Sequence, residues 1–544
     1  MPTLEWIGKE KVINHHQEVP FRVLDRQYSF DESGQHAGEK VNCAEGAREA
    51  ALGRNGSENM IIHGDNLDAL KALLPRYEGR VKCIYIDPPY NTGNEGWVYN
   101  DNVNDPKIKK WLGEVVGKEG EDLTRHDKWL CMMYPRLKLL WKLLEPSNGV
   151  IFISIDENEF ANLKLLCNEI FGANHFIISI AWQKRYSREN RGAIGDSHEY
   201  ILVYATNPEV FKNTRNYLPL TDKQLKAYSN PDNDPRGPWQ SVSLLAQGYR
   251  PNQMYEIVAP NGRIHTPPDG NCWKIIRSEY EKALADNRIT FGNSGDGVPR
   301  RKQFLREAKG LVPWSWWPFE EVGHTDEAKK EIKAILGDIT AFDTPKPVRL
   351  LERILQIASD PDSIILDSFA GSGTTAHAVL NMNKADGGNR KFILVEMMDY
   401  ADSITAERVR RVIRGYGEGK SAVEGTGGSF SYYELGEPLL IGENLNEAVA
   451  PEKIREYIWF METKTPYTPA AGENLYYLGK HNDTGYYFYY EPQRITVLDY
   501  DFLAAVTEKT GGTVIYADRC SIDDDKLSQM GIVFKKIPRD ISRL

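Results

Sequence analysis

Short apolar runs that lead into polar residues constrain the fold of this chain more than any other feature. Residues 60–62 run into Asp65, residues 81–86 run into Asp87, and residues 149–155 end in the same way. Runs of this kind, apolar on both faces, are typical of strands buried in a parallel sheet. Stretches with the spacing of amphipathic helices separate them, so the sequence predicts a doubly wound α/β domain.

The alternation of strand and helix stops in the middle of the chain and resumes near Thr344. From Trp182 to Glu320 the chain carries 20 Lys or Arg against 15 Asp or Glu, although its overall net charge is −10. Positive charge is therefore concentrated in the interruption, which is also rich in Pro, Gly, Asn and Trp. We predict five segments: an N-terminal arm (1–57), a first half of the α/β domain (58–205), an irregular insertion (206–335), a second half of the α/β domain (336–420) and a small C-terminal α+β domain (421–544).

Composition excludes several classes of protein. The 544 residues are 41% hydrophobic and 26% charged, and no stretch approaches the roughly 20 apolar residues of a membrane helix. The first residues lack the apolar segment of a secretion signal, so we predict a cytoplasmic protein that does not enter a membrane. The six cysteines lie far apart and show no zinc-ligand spacing, so we predict neither a metal site nor a disulfide framework.

A glycine-rich turn follows the strand that is predicted to end at Asp367. It reads Phe369-Ala370-Gly371-Ser372-Gly373-Thr374, and a predicted helix follows it. Glycines let the backbone approach a ligand, and the N-terminus of a helix presents free N–H groups. Glu396 ends the next predicted strand, where an acidic side chain can bind ribose hydroxyls. The motif favours an adenosine-type cofactor, although a turn that binds nothing can have the same pattern.

A second motif, Asp87-Pro88-Pro89-Tyr90, ends another predicted strand. The prolines stiffen the turn and remove two N–H donors, so carbonyl acceptors lie beside a carboxylate and an aromatic ring. A planar base with an exocyclic amino group fits this arrangement. It would stack on Tyr90 and donate its N–H groups to Asp87 and to the carbonyl of Pro88. A purely structural turn can also contain Asp-Pro-Pro, but the two motifs together favour the functional interpretation.

These motifs resemble those of the DNA amino-methyltransferases, which transfer a methyl group from S-adenosylmethionine to adenine N6 or cytosine N4. The D-P-P-Y element precedes the F-x-G-x-G element, and this order is similar to that of the circularly permuted β group. Two further matches are Gly64-Asp65-Asn66-Leu67 and Thr344-Pro345-Lys346-Pro347. Residues 63–67 and 87–93 are especially similar to the modification (Mod) subunits of type III restriction-modification systems. The resemblance covers about residues 58–416.

The resemblance implies a Rossmann-like, circularly permuted methyltransferase sheet that is closed by an antiparallel hairpin and carries an inserted target-recognition domain. It implies that the target base is flipped out of the duplex and that no metal takes part. The implied catalytic residues are Asp87, Pro88, Pro89 and Tyr90. The implied cofactor-binding residues are Asp65, Thr344, Lys346, Asp367, Phe369, Gly371, Gly373, Thr374 and Glu396.

The resemblance also implies partners. These are double-stranded DNA, a second copy of the chain in a homodimer and, for restriction, a separate nuclease-helicase subunit. Basic clusters in and next to the insertion would contact phosphates, which position a protein on DNA. The members of these clusters are Lys184, Arg185, Arg188, Arg191, Arg300, Arg301 and Lys302.

Several alternatives remain open from the sequence. Cytosine N4 is a rival target, although that group of enzymes often carries Ser where this chain has Asp87. A stand-alone methyltransferase without a nuclease partner would carry the same motifs. An oxidoreductase could use Gly371 and Glu396 but has no use for Asp87-Pro88-Pro89-Tyr90. A non-catalytic DNA-binding subunit would not need Asp87, and an RNA substrate is compatible with the composition.

Overall fold

The computed structural model describes residues 3–37, 57–92, 125–188, 193–337, 342, 344–469 and 474–539. The chain divides into two compact units. The larger unit consists of Met1–Asn216 and Trp314–Leu544, and the smaller unit is Tyr217–Pro313.

An eleven-stranded sheet organises the larger unit. In chain order its strands are β1 (Arg22–Asp31), β2 (Gly34–Ala37), β3 (Met60–His63), β4 (Cys83–Ile86), β5 (Val150–Ile155), β6 (Phe176–Gln183), β7 (His198–Ala205), β8 (Trp316–Trp317), β9 (Ile364–Asp367), β10 (Lys391–Glu396) and β11 (Ser429–Pro438). Their order across the sheet is β8-β6-β7-β5-β4-β9-β10-β3-β11-β1-β2. Each neighbouring pair from β5 to β11 is parallel, and the hairpin of β6 and β7 extends the sheet antiparallel to β5. This mixed α/β sheet confirms the predicted fold class.

Helices cover the sheet and fill the spaces between its strands. Those of eight or more residues in the larger unit are α1 (Asn66–Tyr77), α2 (Arg125–Leu143), α3 (Phe160–Cys167), α4 (Thr325–Leu336), α5 (Val348–Ala358), α6 (Thr374–Asp386), α7 (Glu407–Arg414) and α8 (Pro451–Thr463). Shorter helices are Lys9–Val12, His15–Glu18, Pro208–Thr214, Phe319–Val322, Tyr500–Ala504 and Asp524–Gln529. The central strands are apolar on both faces, and β4 and β5 are buried along their whole length. That burial explains their continuous apolar runs.

The two ends of the chain differ from the predicted segments. We predict an N-terminal arm and a separate C-terminal domain, but β1 and β11 pair with each other in the central sheet. Their aromatic side chains hold the pair together, since Tyr28 stacks on Tyr432 at 5.0 Å and Phe30 stacks on Phe430 at 5.6 Å. The remaining C-terminal residues include a smaller four-stranded sheet, whose strands are Tyr477–His481, Thr484–Phe488, Gly512–Ala517 and Ile532–Lys536. Three two-stranded ribbons lie in the same part of the sequence. Their strand pairs are Gly415–Tyr416 and Val423–Glu424, Leu440–Ile441 and Asn444–Leu445, and Val497–Leu498 and Arg519–Cys520.

The insertion is narrower than predicted. The separate unit is Tyr217–Pro313 rather than 206–335, because β8 pairs in parallel with β6 and so returns the chain to the central sheet. The small unit has its own core around Trp273, which is fully buried. Its strands are Trp239–Ser243, Leu245–Gln247, Ile257–Val258, Ile264–His265, Asn271–Trp273, Ile289–Thr290 and Arg300–Phe304, and its helices are Asp222–Leu225 and Arg277–Ala285.

Membrane-spanning helices and metal-binding clusters are both absent from the described residues. None of their helices combines the length and the apolar character needed to cross a membrane. The same part of the chain contains no group of three or more His, Cys, Asp or Glu side chains arranged to hold a metal ion.

Candidate active site

The topology brings the two sequence motifs to one edge of the sheet. Strands β4 and β9 are parallel neighbours, so the residues that follow them, Asp87 and the glycine-rich turn after Asp367, meet at the same carboxyl edge. A cavity opens there. It is lined by Tyr85, Asp87, Phe342, Thr344, Pro345, Lys346, Asp367, Phe369, Ala370, Gly371, Ser372, Thr374 and Thr375. Two motifs that lie far apart in the chain therefore share one cavity.

The Asp87 carboxylate is paired with a lysine. The ammonium of Lys346 lies 2.8 Å from Oδ1 and 2.7 Å from Oδ2 of Asp87. Burial raises the pKa of Asp87, and the positive charge of Lys346 opposes that shift. Burial acts to lower the pKa of Lys346, but Asp87 and Glu199 outweigh it and the pKa is raised. Lys346 is therefore held as an ammonium ion.

Tyr90 and Glu199 complete the polar group around Asp87. The Tyr90 hydroxyl lies 2.9 Å from Oδ1 of Asp87 and 3.0 Å from Oε2 of Glu199. One hydroxyl proton can serve only one of these carboxylates at a time. Glu199 is the second residue of β7, and its other oxygen lies 3.3 Å from the ammonium of Lys184. Lys346 also lies over the Tyr90 ring, with its Nζ 4.9 Å from the ring centroid.

A neighbouring helix holds the second proline of the motif, Pro89. The indole of Trp129 on α2 donates a 2.7 Å hydrogen bond to the carbonyl of Pro89. Below the motif, the hydroxyls of Tyr85 and Ser154 are 2.9 Å apart and link β4 to β5. The turn after β4 is thus held from both sides, and the carbonyl of Pro89 is already used as an acceptor.

Positive backbone angles shape the glycine-rich turn. Gly371 has φ +53° and Gly373 has φ +79°, a conformation that other L-residues rarely adopt. A Cβ on Gly371 would lie 2.9 Å from Cζ of Phe342, and one on Gly373 would lie 3.1 Å from the carbonyl oxygen of Thr405. The close neighbour at Gly371 is therefore an aromatic ring, which offers a flat apolar face to a ligand in the cavity.

Two buried carboxyl groups support the turn from the strand ends. The Gly371 N–H donates to Oε2 of Glu396 at 2.8 Å, and the Phe369 N–H donates to Oδ1 of Asp367 at 3.0 Å. Thr375 donates its hydroxyl to the second oxygen of Asp367. Burial raises the pKa of Asp367 to about 7 and that of Glu396 to about 7, because these backbone donors only partly offset desolvation.

A buried arginine lies behind the turn. Arg408 on α7 donates to the hydroxyls of Ser372 at 2.9 Å and Thr374 at 2.8 Å. Burial lowers its pKa to about 10, and the more distant Glu331 offsets only part of that effect. The Thr374 hydroxyl in turn donates to the carbonyl of Lys346 at 3.2 Å, which ties the turn to the Thr344-Pro345-Lys346 segment.

Asp65 lies elsewhere in the larger unit, outside the cavity lining. Its carboxylate caps α1 by accepting from the N–H of Leu67 at 2.8 Å, and it forms an ion pair of 3.2 Å with the buried Arg136. Its predicted contact with a cofactor remains a prediction. Four residues at this site were not predicted from the sequence: Phe342, Trp129, Glu199 and Arg408. Only Phe342 gave a local signal, as an aromatic residue shortly before Thr344-Pro345-Lys346.

The predicted basic clusters are partly neutralised inside the protein. Lys184 pairs with Asp196 at 2.8 Å as well as with Glu199. In the smaller unit Lys302 is buried and pairs with Asp232. These two lysines are therefore poor candidates for phosphate contacts. Arg191 lies outside the described residues.

Comparison with known proteins identifies the family to which this chain belongs. The model of the DNA methylase family N6_N4_Mtase matches residues 81–407, which is more than half of the chain. The chain belongs to this DNA methylase family. The match contains both cavity motifs and the insertion between them, and it confirms the family resemblance seen in the sequence.

Individual relatives narrow the comparison. The chain is 38% identical over 388 residues to the Mod subunit of the type III restriction-modification enzyme StyLTI of Salmonella typhimurium (strain LT2), a match that covers 65% of this chain and 57% of that subunit. It is 32% identical over 354 residues to the type II methyltransferase M.KpnI of Klebsiella pneumoniae, covering 62% of this chain and 81% of that protein. The solved PvuII DNA methyltransferase, which is cytosine-N4-specific, aligns with a TM-score of 0.34 and 14% identity over 65% of this chain and 87% of its own.

Proposed function

We propose that this chain transfers a methyl group from S-adenosylmethionine to adenine N6 in double-stranded DNA, as the modification and recognition subunit of a type III restriction-modification system. The observation that carries the proposal is the shared cavity, in which the acceptor Asp87 and the glycine-rich turn at Gly371 line one space. An enzyme that transfers a methyl group from the sulfonium of S-adenosylmethionine to an amine has to hold the cofactor and the amine in one place.

The residues around the turn fit an adenosine-type cofactor. Gly371 lines the cavity with backbone alone, and the ring of Phe342 beside it can pack against an adenine. Glu396 is buried at the end of β10 and can accept from ribose hydroxyls. S-adenosylmethionine would supply an electrophilic methyl group there. Thr344 and Lys346 would border its methionine end, and Thr374 would line the cofactor with the rest of the glycine-rich turn.

The other side of the cavity fits an exocyclic amine. The Asp87 carboxylate can accept one N–H of the amine and so orient its lone pair for attack. Burial raises the pKa of Asp87, so its carboxylate can also take the proton that the nitrogen loses after methylation. Tyr90 presents a ring face for stacking. A base inside a duplex cannot reach this cavity, so the target must flip out, at a cost of a few kcal/mol that stacking and hydrogen bonds offset.

The remaining parts of the chain receive roles by the same proposal. The strand that leads into Asp87, β4, precedes the strand that leads into the glycine-rich turn, β9, and this order supports a circularly permuted methyltransferase domain. The unit Tyr217–Pro313 is a separate folded body between the two motifs and is the natural target-recognition domain. The C-terminal region after β11 would serve contacts in a homodimer. A type III system would add a nuclease-helicase subunit in the cytosol.

A second candidate is a stand-alone methyltransferase. The type II enzyme M.KpnI is matched over 81% of its length, whereas the StyLTI Mod subunit is matched over 57%. This difference in coverage is the observation that favours the second candidate. Cytosine N4 as the target is less favoured because the motif begins with Asp87.

Single-molecule sequencing of DNA tests both candidates. Genomic DNA from a methylase-free host that expresses the chain should carry N6-methyladenine at one short sequence, and DNA from a host with the Asp87→Ala variant should not. N4-methylcytosine would support the alternative target, and unmodified DNA together with no methyl transfer in vitro would contradict the proposal. Cleavage that needs a co-expressed nuclease-helicase would separate the type III reading from the stand-alone one.

A further inference from the structure

The contact between Lys346 and Asp87 blocks the very acceptor that the proposed reaction needs. The ammonium contacts both oxygens of Asp87, at 2.8 Å and 2.7 Å, and the Tyr90 hydroxyl oxygen lies 2.9 Å from Oδ1 of the same carboxylate. A carboxylate offers about four lone-pair directions, and the Lys346 ammonium contacts one oxygen as well as the other. The ammonium therefore competes with the target amino group for Asp87, and it has to move away for the amine to become the main partner of this carboxylate.

A buried ammonium cannot leave a carboxylate without another partner, because an unpaired buried charge is costly. Glu199 supplies one. Its Oε2 lies 3.7 Å from Nζ of Lys346 and so needs only a small side-chain movement to pair fully. Among the described residues, Asp87 and Glu199 are the carboxylates within ion-pair distance of Lys346. The rings of Tyr90 and Trp182, at 4.9 Å and 5.9 Å, border the path of the ammonium.

The topology explains why Glu199 is at this place. β7 runs antiparallel to β5, so its first residues lie at the carboxyl edge of the parallel strands, where Asp87 also lies. Glu199 opposes Trp182 in the hairpin. Lys184 and the Tyr90 hydroxyl hold its carboxylate at 3.3 Å and 3.0 Å.

We propose that Glu199 is a positioning residue that takes the Lys346 ammonium when the target amino group binds Asp87. The Tyr90 hydroxyl complements this movement, since it lies within hydrogen-bond distance of both carboxylates. It donates to Glu199 while Lys346 occupies Asp87, and it donates to Asp87 once Lys346 has moved to Glu199. Lys346 keeps its proton throughout. This inference rests on the proposed methyltransferase function.

A double-mutant cycle of Glu199→Gln and Lys346→Met tests the proposal. The readout is the single-turnover rate of methyl transfer from labelled S-adenosylmethionine to unmethylated genomic DNA, with cofactor affinity measured by calorimetry. Glu199→Gln should lower the rate at least about tenfold and change the cofactor Kd less than about threefold. In the Lys346→Met background the same substitution should change the rate less than about twofold, because no ammonium is left to move. Glu209→Gln, which removes a carboxylate that is 78% exposed, is the matched control.

The possible outcomes distinguish a failure of the role proposed for Glu199 from a failure of the proposed methyltransferase function. A wild-type chain that transfers no methyl group would overturn both. An active wild type with an equal loss from Glu199→Gln in both backgrounds, or with no loss in either, would overturn the inference alone. Should Glu199→Gln fail to fold, a crystal structure of the wild type with S-adenosylhomocysteine and its target duplex decides. Lys346 should then lie on Glu199, and an ammonium still on Asp87 would contradict the proposal.

Discussion

The two sides of the cavity are held by different kinds of contact. Around Asp87 the contacts join charged groups at the ends of side chains, and the side chains of Lys346 and Glu199 have several rotatable bonds. Around Gly371 they involve the backbone, because its N–H donates to Glu396 and its carbonyl accepts from the Thr405 hydroxyl at 2.5 Å. Side-chain ion pairs can exchange partners, whereas a backbone turn held at both ends is preorganised. We infer that the amine side rearranges during the reaction and that the cofactor side does not.

The largest expected effect comes from removing the acceptor on the amine side. Asp87→Ala should lower methyl transfer by at least about a thousandfold, since the amine then loses both its orienting contact and its proton acceptor. Cofactor affinity should stay within about threefold, because the turn at Gly371 is untouched. Tritium transfer to DNA and calorimetric titration with S-adenosylmethionine measure the two quantities.

Loss of cofactor binding in Asp87→Ala would contradict the division of the cavity into an amine side and a cofactor side. If Asp87→Ala removed cofactor binding in a protein that still melts cooperatively, the amine side would also belong to the cofactor site. The control variant Glu209→Gln changes an exposed carboxylate on the helix Pro208–Thr214. It should change neither the rate of methyl transfer nor the cofactor affinity.

The second prediction addresses the cofactor side. Gly373→Val should weaken S-adenosylmethionine binding at least about a hundredfold, because φ +79° is strained for a β-branched residue and its Cβ would press on Thr405. Gly387→Val is a matched control, since Gly387 also has a positive φ, +71°, and a Cβ there meets nothing within 4 Å. Both variants carry the backbone strain. Equal cofactor affinity in the two variants would therefore contradict the assignment of the glycine-rich turn to cofactor binding.

The third prediction separates the ring of Tyr90 from its hydroxyl. Stacking of a base on an aromatic ring is worth about 1 to 3 kcal/mol, so Tyr90→Ala should lower the methylation rate about fivefold to 150-fold. Tyr90→Phe keeps the ring and should lose less, about threefold to tenfold, because it removes the hydrogen bonds to Asp87 and Glu199. Single-turnover kinetics measure both variants. Equal losses would mean that the hydroxyl, and not the ring face, carries the effect.

The sequence predicted the cavity from local motifs and missed what depends on distant pairing. Asp87 and Gly371 were predictable because each follows an apolar strand and lies in a short pattern with its own chemistry. Glu199 was not, because its approach to Lys346 depends on the register of the β6–β7 hairpin against β5. The pairing of β1 with β11 was missed for the same reason, since no periodicity links strands about 400 residues apart.

The smallest expected effect is a pH dependence of cofactor binding that originates on the cofactor side. Burial raises the pKa of Glu396 to about 7, so its carboxylate is lost as the pH falls through 7. If the ribose hydroxyls need the ionised form, the Kd for S-adenosylmethionine should rise about fivefold to tenfold from pH 8 to pH 6. Asp367 titrates in the same range, since burial raises its pKa to about 7 as well. Glu396→Gln therefore serves as the control in calorimetry, because it removes the titration of Glu396 and keeps the Asp367 carboxyl group and the ionisation of the cofactor. The variant should bind more weakly at pH 8 and with less change between the two pH values, whereas an unchanged slope would assign the dependence to Asp367 or to the cofactor itself.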